Sequence, residues 1–222
     1  MTGVEAVFTA VEIIGVISFA ISGSIEAINK ETDLFGVVFL ALLTSFGGGM
    51  IRDVMIGNNP PVFFTSYVWV ITCAITAIAV FVIAAIFKKK FVENEEIIAK
   101  INNVFDALGI GAFTVSGIKL TMNLGYTHPF IAISMGMITC IGGSMVRDFC
   151  LREIPFFLRK RVYALATLLG GACYWLMLHF GANEIAAMII SPLVVFAIRM
   201  MATVFRWNFP KAIDFEKMKN DG

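Results

Sequence analysis

The sequence predicts an all-α membrane protein with seven transmembrane helices, arranged as two inverted three-helix repeats plus a seventh helix. Three observations predict it. Hydrophobic residues make up 59% of the 222-residue chain and charged residues only 15%, where a soluble domain carries about 25% charged residues; mean hydropathy is +0.86. The apolar residues gather into seven runs of about the 20 residues that a bilayer-spanning helix needs. A block reading Gly-Gly-x-Met-x-Arg-Asp occurs twice.

Composition also excludes function classes. The net charge of +1 comes without a basic patch interleaved with aromatics, so no nucleic-acid surface is expected. The cysteines Cys73, Cys140, Cys150 and Cys173 lie in or beside apolar runs, at spacings that fit neither a zinc site nor a disulfide framework. No metal site, nucleophile elbow or phosphate loop is found. An enzyme is therefore not expected, nor is a cofactor.

The expected spans run Val7 to Ile28, Leu34 to Ile56, Tyr67 to Phe87, Asn103 to Met122, Pro129 to Leu151, Val162 to His179 and Ile185 to Val204. The first has Glu5 and Glu12 at its start instead of a basic segment, and no small-residue cleavage site follows it, so it reads as a retained helix. Between the spans the longest polar stretch is Lys88 to Lys100. These spans divide the chain into a first repeat with its following loop (residues 1–100), a second, inverted repeat (101–183), the seventh helix (184–205) and a polar tail (206–222).

Lysine and arginine enrichment on the cytoplasmic side sets the orientation. With the N-terminus outside, Lys30, Lys88, Lys89, Lys90, Lys100, Arg147, Arg152, Arg159, Lys160, Arg161, Arg199, Arg206, Lys211, Lys217 and Lys219 all fall inside; only Arg52 and Lys119 fall outside. An N-outside, C-inside protein of a prokaryotic plasma membrane is expected.

The repeat is carried by Gly47-Gly48-Gly49-Met50-Ile51-Arg52-Asp53 and Gly142-Gly143-Ser144-Met145-Val146-Arg147-Asp148, offset by 95 positions (Gly47 to Gly142). Upstream, Ser22-Gly23 matches Ser116-Gly117. A unit with an odd number of spans inserts its second copy upside down, giving inverted repeats about a pseudo-two-fold axis in the membrane plane. Glycine runs weaken a helix by roughly 1 kcal/mol per residue relative to alanine. Two readings follow: a break that exposes backbone polar groups to a water-filled path, or small residues that let helices pack closely. Recurrence just before Arg-Asp favours the break, at Gly47 to Gly49 and around Gly142.

Adjacent residues point in different directions on a helix, so Arg52-Asp53 and Arg147-Asp148 are expected to find partners elsewhere. Arg52, unexplained by the charge rule, is the foremost functional candidate, with an acid of the opposite repeat as its expected partner. Lys119 has two readings, snorkelling to the interface or a path-facing cation. Glu12, Glu26 and Asp106 read as acids at helix ends. A small polar solute or ion crossing the bilayer is the function class these features imply.

The paired Gly-Gly-x-x-x-Arg-Asp blocks, the Asp33-Leu34-Phe35-Gly36 and Asp106-Ala107-Leu108-Gly109 starts and the seven spans resemble the prokaryotic TRIC family of trimeric intracellular cation channels, which overlaps bacterial proteins described as glycine transporters. The resemblance implies a homotrimer in the bilayer with one pore per subunit, lined by broken second and fifth helices and conducting potassium and other monovalent cations. By motif it carries over Gly47, Gly48, Gly49, Arg52, Asp53, Gly142, Gly143, Arg147 and Asp148, with Ser144 standing where the first block has its third glycine. A basic residue on the fourth helix is linked to gating in animal relatives, which makes Lys119 the candidate by position. A secondary transporter for glycine or a similar zwitterion is the alternative, because helix N–H ends suit a carboxylate and carbonyl ends an ammonium.

Reporter fusions at Lys90 and Gly222 are expected to signal cytoplasm. A periplasmic signal from either overturns the orientation.

Overall fold

The helix starts are encoded locally. Thr2 accepts the Glu5 N–H while the Glu5 carboxylate accepts the Thr2 N–H, a capping box that opens α1 (Gly3–Asn29). Asp33 caps α2 (Leu34–Met55) through the Gly36 N–H at 2.8 Å, Pro129 takes the first position of α7 (Pro129–Cys150), and Asn183 caps α10 (Glu184–Val204). The other long helices are α4 (Tyr67–Ile86), α6 (Glu95–Asn123) and α9 (Val162–His179); α3 (Val62–Thr65), α5 (Lys88–Glu93) and α8 (Phe156–Arg159) are short connectors. These elements belong to a computed structural model that describes residues 2–65, 67–159, 162–205 and 207. The expected tail from 206 onward, Trp207 excepted, and the expected cytoplasmic charges Lys160 and Arg161 lie outside the described residues.

Seven helices are long and apolar enough to cross a membrane, and no strand occurs among the described residues. The protein is an all-α membrane protein whose seven spans are α1, α2, α4, α6, α7, α9 and α10. Their ends match the expected spans closely except at α6, which begins at Glu95 rather than Asn103. The extra turns are amphipathic, with Ile97, Ile98 and Ile101 among polar residues and Glu95 and Glu96 in the first turn, where they favour the helix dipole. Hydropathy alone does not register such a turn as membrane.

The inverted repeat is visible atom by atom. Helices α1 and α6 run antiparallel, with Ser116 near Glu12 at one end and Asn102 near Glu26 at the other. Phe19 and Phe113, counterparts in the two units, meet across the middle at 5.2 Å between ring centroids, their planes tilted by 31°. A Cβ on Gly23 would lie 2.9 Å from the Ala41 Cα, and one on the equivalent Gly117 would lie 2.9 Å from the Gly136 Cα, so each unit packs its first two helices through the same glycine. Even the exits from α2 and α7 agree: Asn58 N–H donates to the Asp53 carbonyl at 2.8 Å and Glu153 N–H to the Asp148 carbonyl at 2.9 Å. The left-handed residue in that turn is Gly57 in one unit and Arg152 in the other, at φ 72° and 57°. The seventh span, α10, packs on α6 and α9, where Gly111 admits the Pro192 backbone and Gly170 admits Val195.

The glycine runs correct the expected break. α2 continues helical through Gly47, Gly48 and Gly49, and α7 through Gly142, Gly143 and Ser144. The two helices cross there with backbones in contact. A Cβ on Gly48 would fall on the Thr139 carbonyl oxygen, and one on Gly143 on the Thr44 carbonyl oxygen; a Cβ on Gly142 would lie 2.9 Å from the Gly48 Cα, and one on Gly47 3.2 Å from the Gly143 Cα. Close packing of small residues holds the crossing, and the helices keep their hydrogen bonds, so no carbonyl is freed. Gly49 stands apart: a Cβ there would meet only Arg52, at 3.7 Å. The equivalent position accommodates Ser144, whose hydroxyl donates to the Ile141 carbonyl at 2.9 Å.

A buried core of Val16, Phe19, Ala20, Ile110, Phe113, Cys140 and Ile141 surrounds this crossing. Facing outward, Phe35 and its counterpart Phe130 are each 76% exposed, as a lipid-facing surface requires.

Gly48→Ala is expected to destabilise the protein by roughly 1–3 kcal/mol through overpacking against a carbonyl that cannot move aside, while Gly49→Ala stays neutral or gains. Thermal unfolding of both variants in detergent checks this; equal midpoints would remove the crossing as a constraint.

Candidate functional site: two recesses flanking the helix crossing

Each Arg-Asp pair sits one turn beyond the crossing, on α2 toward one end of the bundle and on α7 toward the other. Arg52 and Asp53 are 3% and 1% exposed, and Arg147 and Asp148 are 4% and 7% exposed. Against expectation, each pair closes on itself. The arginine folds back so that Nε and Nη2 both donate to its neighbour's Oδ1, at 2.9 and 2.8 Å in each repeat. Burial explains this: a guanidinium withdrawn from water takes the nearest carboxylate, and the long side chain reaches position i+1 although the Cβ directions diverge. The opposite repeat supplies a hydroxyl instead of the expected acid, with Arg52 Nη1 donating to Thr139 Oγ1 at 3.4 Å. Asp53 Oδ2 also accepts the Val62 N–H at 2.9 Å, tying α2 to α3.

Two recesses open around these pairs. The first is lined by Glu12, Ser45, Gly49, Arg52, Asp53, Ser116 and Thr139, with Phe46, Phe63 and Phe113 as its apolar walls. Ser116 Oγ donates to Glu12 Oε1 at 3.1 Å. The second, the roomier of the two, is lined by Ser22, Glu26, Asn102, Asn103, Asp106 and Arg147. Asn102 Nδ2 donates to Glu26 Oε1 at 2.5 Å. The repeat relates the two: Glu12 corresponds to Asp106, Ser116 to Ser22 and Arg52 to Arg147. About ten residues of α1 separate Glu12 from Ser22, roughly 15 Å of helix at 1.5 Å per residue, and the Phe19–Phe113 contact fills the interval.

Of the residues expected from sequence, Gly49, Arg52 and Asp53 line the first recess and Arg147 the second. Gly47, Gly48, Gly142 and Gly143 form the crossing between them, and Asp148 holds Arg147. Lys119 pairs with Glu184 at the start of α10 and lies over the Phe8 ring at 5.3 Å, joining three helices at the end of α6.

Comparison with known proteins follows the same repeat. The sequence profile of the family described as "Glycine transporter" matches residues 9–85 and again 103–179. A UPF0126 membrane protein of Vibrio cholerae is 34% identical over 202 residues, covering 89% of this chain and 79% of that protein. UPF0126 membrane protein YvgT of Bacillus subtilis is 30% identical over 204 residues, covering 89% and 93%. Among solved structures, the TRIC trimeric intracellular cation channel orthologue from Rhodobacter sphaeroides superposes with a TM-score of 0.81 at 30% identity, over 90% of this chain and 99% of that one. The chain belongs to the prokaryotic TRIC family. A further TRIC structure, from work on conductance through TRIC cation channels, matches with a TM-score of 0.80 at 30% identity, covering 93% and 98%.

Within this TRIC fold, sequence reasoning misses the polar residues of α1 and α6. Glu12 and Asp106 read as interface acids, yet Asp106 is 7% exposed and both face recesses. Extending the Ser22/Ser116 register ten residues back pairs Glu12 with Asp106, a signal present in the sequence. Arg199, placed with the cytoplasmic charges, is 1% exposed inside the bundle.

Arg52→Gln is expected to lower stability by roughly 3–5 kcal/mol, because it leaves the Asp53 carboxylate buried without its cation. Adding Asp53→Asn is expected to recover most of that loss. A double-mutant cycle on unfolding midpoints measures the coupling; additive losses would mean the two side chains act independently.

Proposed function

We propose that this TRIC-family protein is a passive channel for monovalent cations, potassium foremost, working as a homotrimer with one path per subunit in the prokaryotic inner membrane. The N-terminus faces outward, and the path runs from the recess of Glu12 and Arg52, past the crossing of α2 and α7, to the recess of Asp106 and Arg147. The observation that carries this reading is the pair of two-fold-related recesses inside the bundle, each holding a carboxylate and a hydroxyl beside a self-neutralised Arg-Asp pair. Ionisable groups within a membrane mark ion pathways. An acid whose neighbouring guanidinium is already matched leaves a net negative field, which favours a cation. The names of the matched solved structures, TRIC cation channels, support the same class, and one is called trimeric. In this reading the Phe19–Phe113 contact between the recesses is the constriction that has to part for conduction.

A second reading, a carrier of glycine, is favoured by one feature. Arg147 Nη1 is buried with no hydrogen-bond partner among the described residues, in the recess that holds Glu26 and Asp106. A free guanidinium N–H beside carboxylates suits a small zwitterion.

Liposomes containing the protein are expected to pass potassium down its gradient without accumulating labelled glycine, and Glu12→Gln is expected to cut potassium flux about threefold at low salt by removing one charge from the field. Both fluxes are read from the same vesicles. Saturable glycine uptake in vesicles impermeable to potassium would replace the channel by the carrier.

A further inference from the structure

The pseudo-two-fold axis equates Glu12 with Asp106, yet the two acids have different surroundings. Glu12 receives a hydroxyl, Ser116 Oγ at 3.1 Å, and the guanidinium in its recess, Arg52, is already bound to Asp53. Asp106 receives a cation. Arg199 Nη2 donates to Asp106 Oδ2 at 3.1 Å, and Tyr163 Oη donates to Asp106 Oδ1 at 3.2 Å. The Arg199 guanidinium carbon lies 4.3 Å from the centroid of the Tyr163 ring, so the arginine is clamped between an aromatic face and a carboxylate. The same Nη2 reaches Asn103 Oδ1 at 3.4 Å, while Asn103 Nδ2 donates to Thr203 Oγ1 at 2.9 Å. Asp106, Asn103 and Thr203 line the second recess, and Arg199 stands directly behind them. Its position has an architectural origin: α10 lies outside the repeat, so the first unit has no counterpart of it.

We propose that Arg199 is a positioning residue for ion passage: the seventh helix uses it to cancel the charge of Asp106, which leaves Glu26 as the acid of the inner recess, so that this recess attracts cations less than it would with Asp106 unpaired. The inference rests on the channel reading. A fully buried cation next to the recess acts through Asp106 without touching the permeant ion, and its effect is an electrostatic one that salt screens. A purely structural arginine would change yield and unfolding without giving a salt-dependent effect on conductance.

The test measures potassium conductance and potassium-over-chloride selectivity of the full chain in planar bilayers, at low and at high salt. Arg199→Gln is expected to raise low-salt conductance and selectivity about threefold, with most of the gain gone near 1 M salt, where the screening length is about 3 Å. Asp106→Asn leaves the Arg199 charge uncancelled and is expected to lower both by a similar factor. The double variant is expected to return to the wild-type value, and Arg199→Lys, which keeps the charge, to remain near it. If Arg199→Gln does not assemble, the comparison of Asp106→Asn with the double variant decides, because removing both partners of a buried pair is better tolerated than removing one. Equal conductance of those two variants, or changes in Arg199→Gln that salt does not diminish, overturns the proposal. Wild-type protein that passes no potassium overturns the channel reading beneath it, whereas a conducting wild type with indifferent variants overturns this inference alone.

Discussion

Contact between the α2 and α7 backbones at Gly47, Gly48, Gly142 and Gly143 is the constraint from which the rest of the molecule follows. Two helices that touch through carbonyl oxygens and Cα atoms have no room for a side chain at the centre, and in a bilayer such contact stands in for the hydrophobic drive that water supplies elsewhere. The crossing fixes the distance between the two units. It also fixes which residues lie beyond it: one turn further along each helix comes an arginine followed by an aspartate. Because the crossing is antiparallel and two-fold, those pairs emerge at opposite ends of the bundle.

Close approach at the centre also accounts for the electrostatics. Since the helices keep their backbone hydrogen bonds through the glycines, no free carbonyl or N–H is available to hold an ion at the crossing, and the polar work passes to side chains. Arg52 and Arg147 each spend their charge on the next residue in the chain. What the recesses add is carboxylate from α1, Glu12 and Glu26, bonded to Ser116 and Asn102 of α6 and not to a cation among the described residues, while Asp106 of α6 is held by Arg199. The field in each recess is thus governed by helices that composition alone marks as ordinary spans.

Much of the architecture is legible in the sequence because a bilayer reduces folding to a length rule and a hydropathy rule. Seven runs gave seven spans, and the doubled Arg-Asp block gave the inverted pairing. The glycine runs were less legible, since a broken helix and a close crossing call for the same residues; what separates them is whether another backbone lies opposite, which only the partner helix decides. Likewise Arg52-Asp53 reads as an unlinked pair from helical Cβ directions, and only burial makes the side chain curl back. Glu12 and Asp106 were within reach, lying in the same register as Ser22 and Ser116. Arg199 was not, for it belongs to a helix without a counterpart, and its charge fits the positive-inside pattern as well as it fits the interior.

That last residue shows why a duplicated fold needs something outside the duplication. Two identical inverted units would build a path with the same field at both mouths, indifferent to the direction of the membrane potential. Divergence within the repeat spares the backbone, with Ser144 for Gly49 and Arg152 for Gly57, but it changes a side chain of the recesses, Leu120 standing in the first where Glu26 stands in the second. The seventh helix adds a further difference, because it covers α6 and α9 and leaves α1 and α4 without an equivalent neighbour of their own. It closes one end with Lys119–Glu184 and, near the other, places Arg199 behind Asp106. On the channel reading proposed above, an acid matched by a guanidinium at one mouth and by a hydroxyl at the other would give the path a sense of direction, and the helix that stands outside the symmetry would be an element that supplies it.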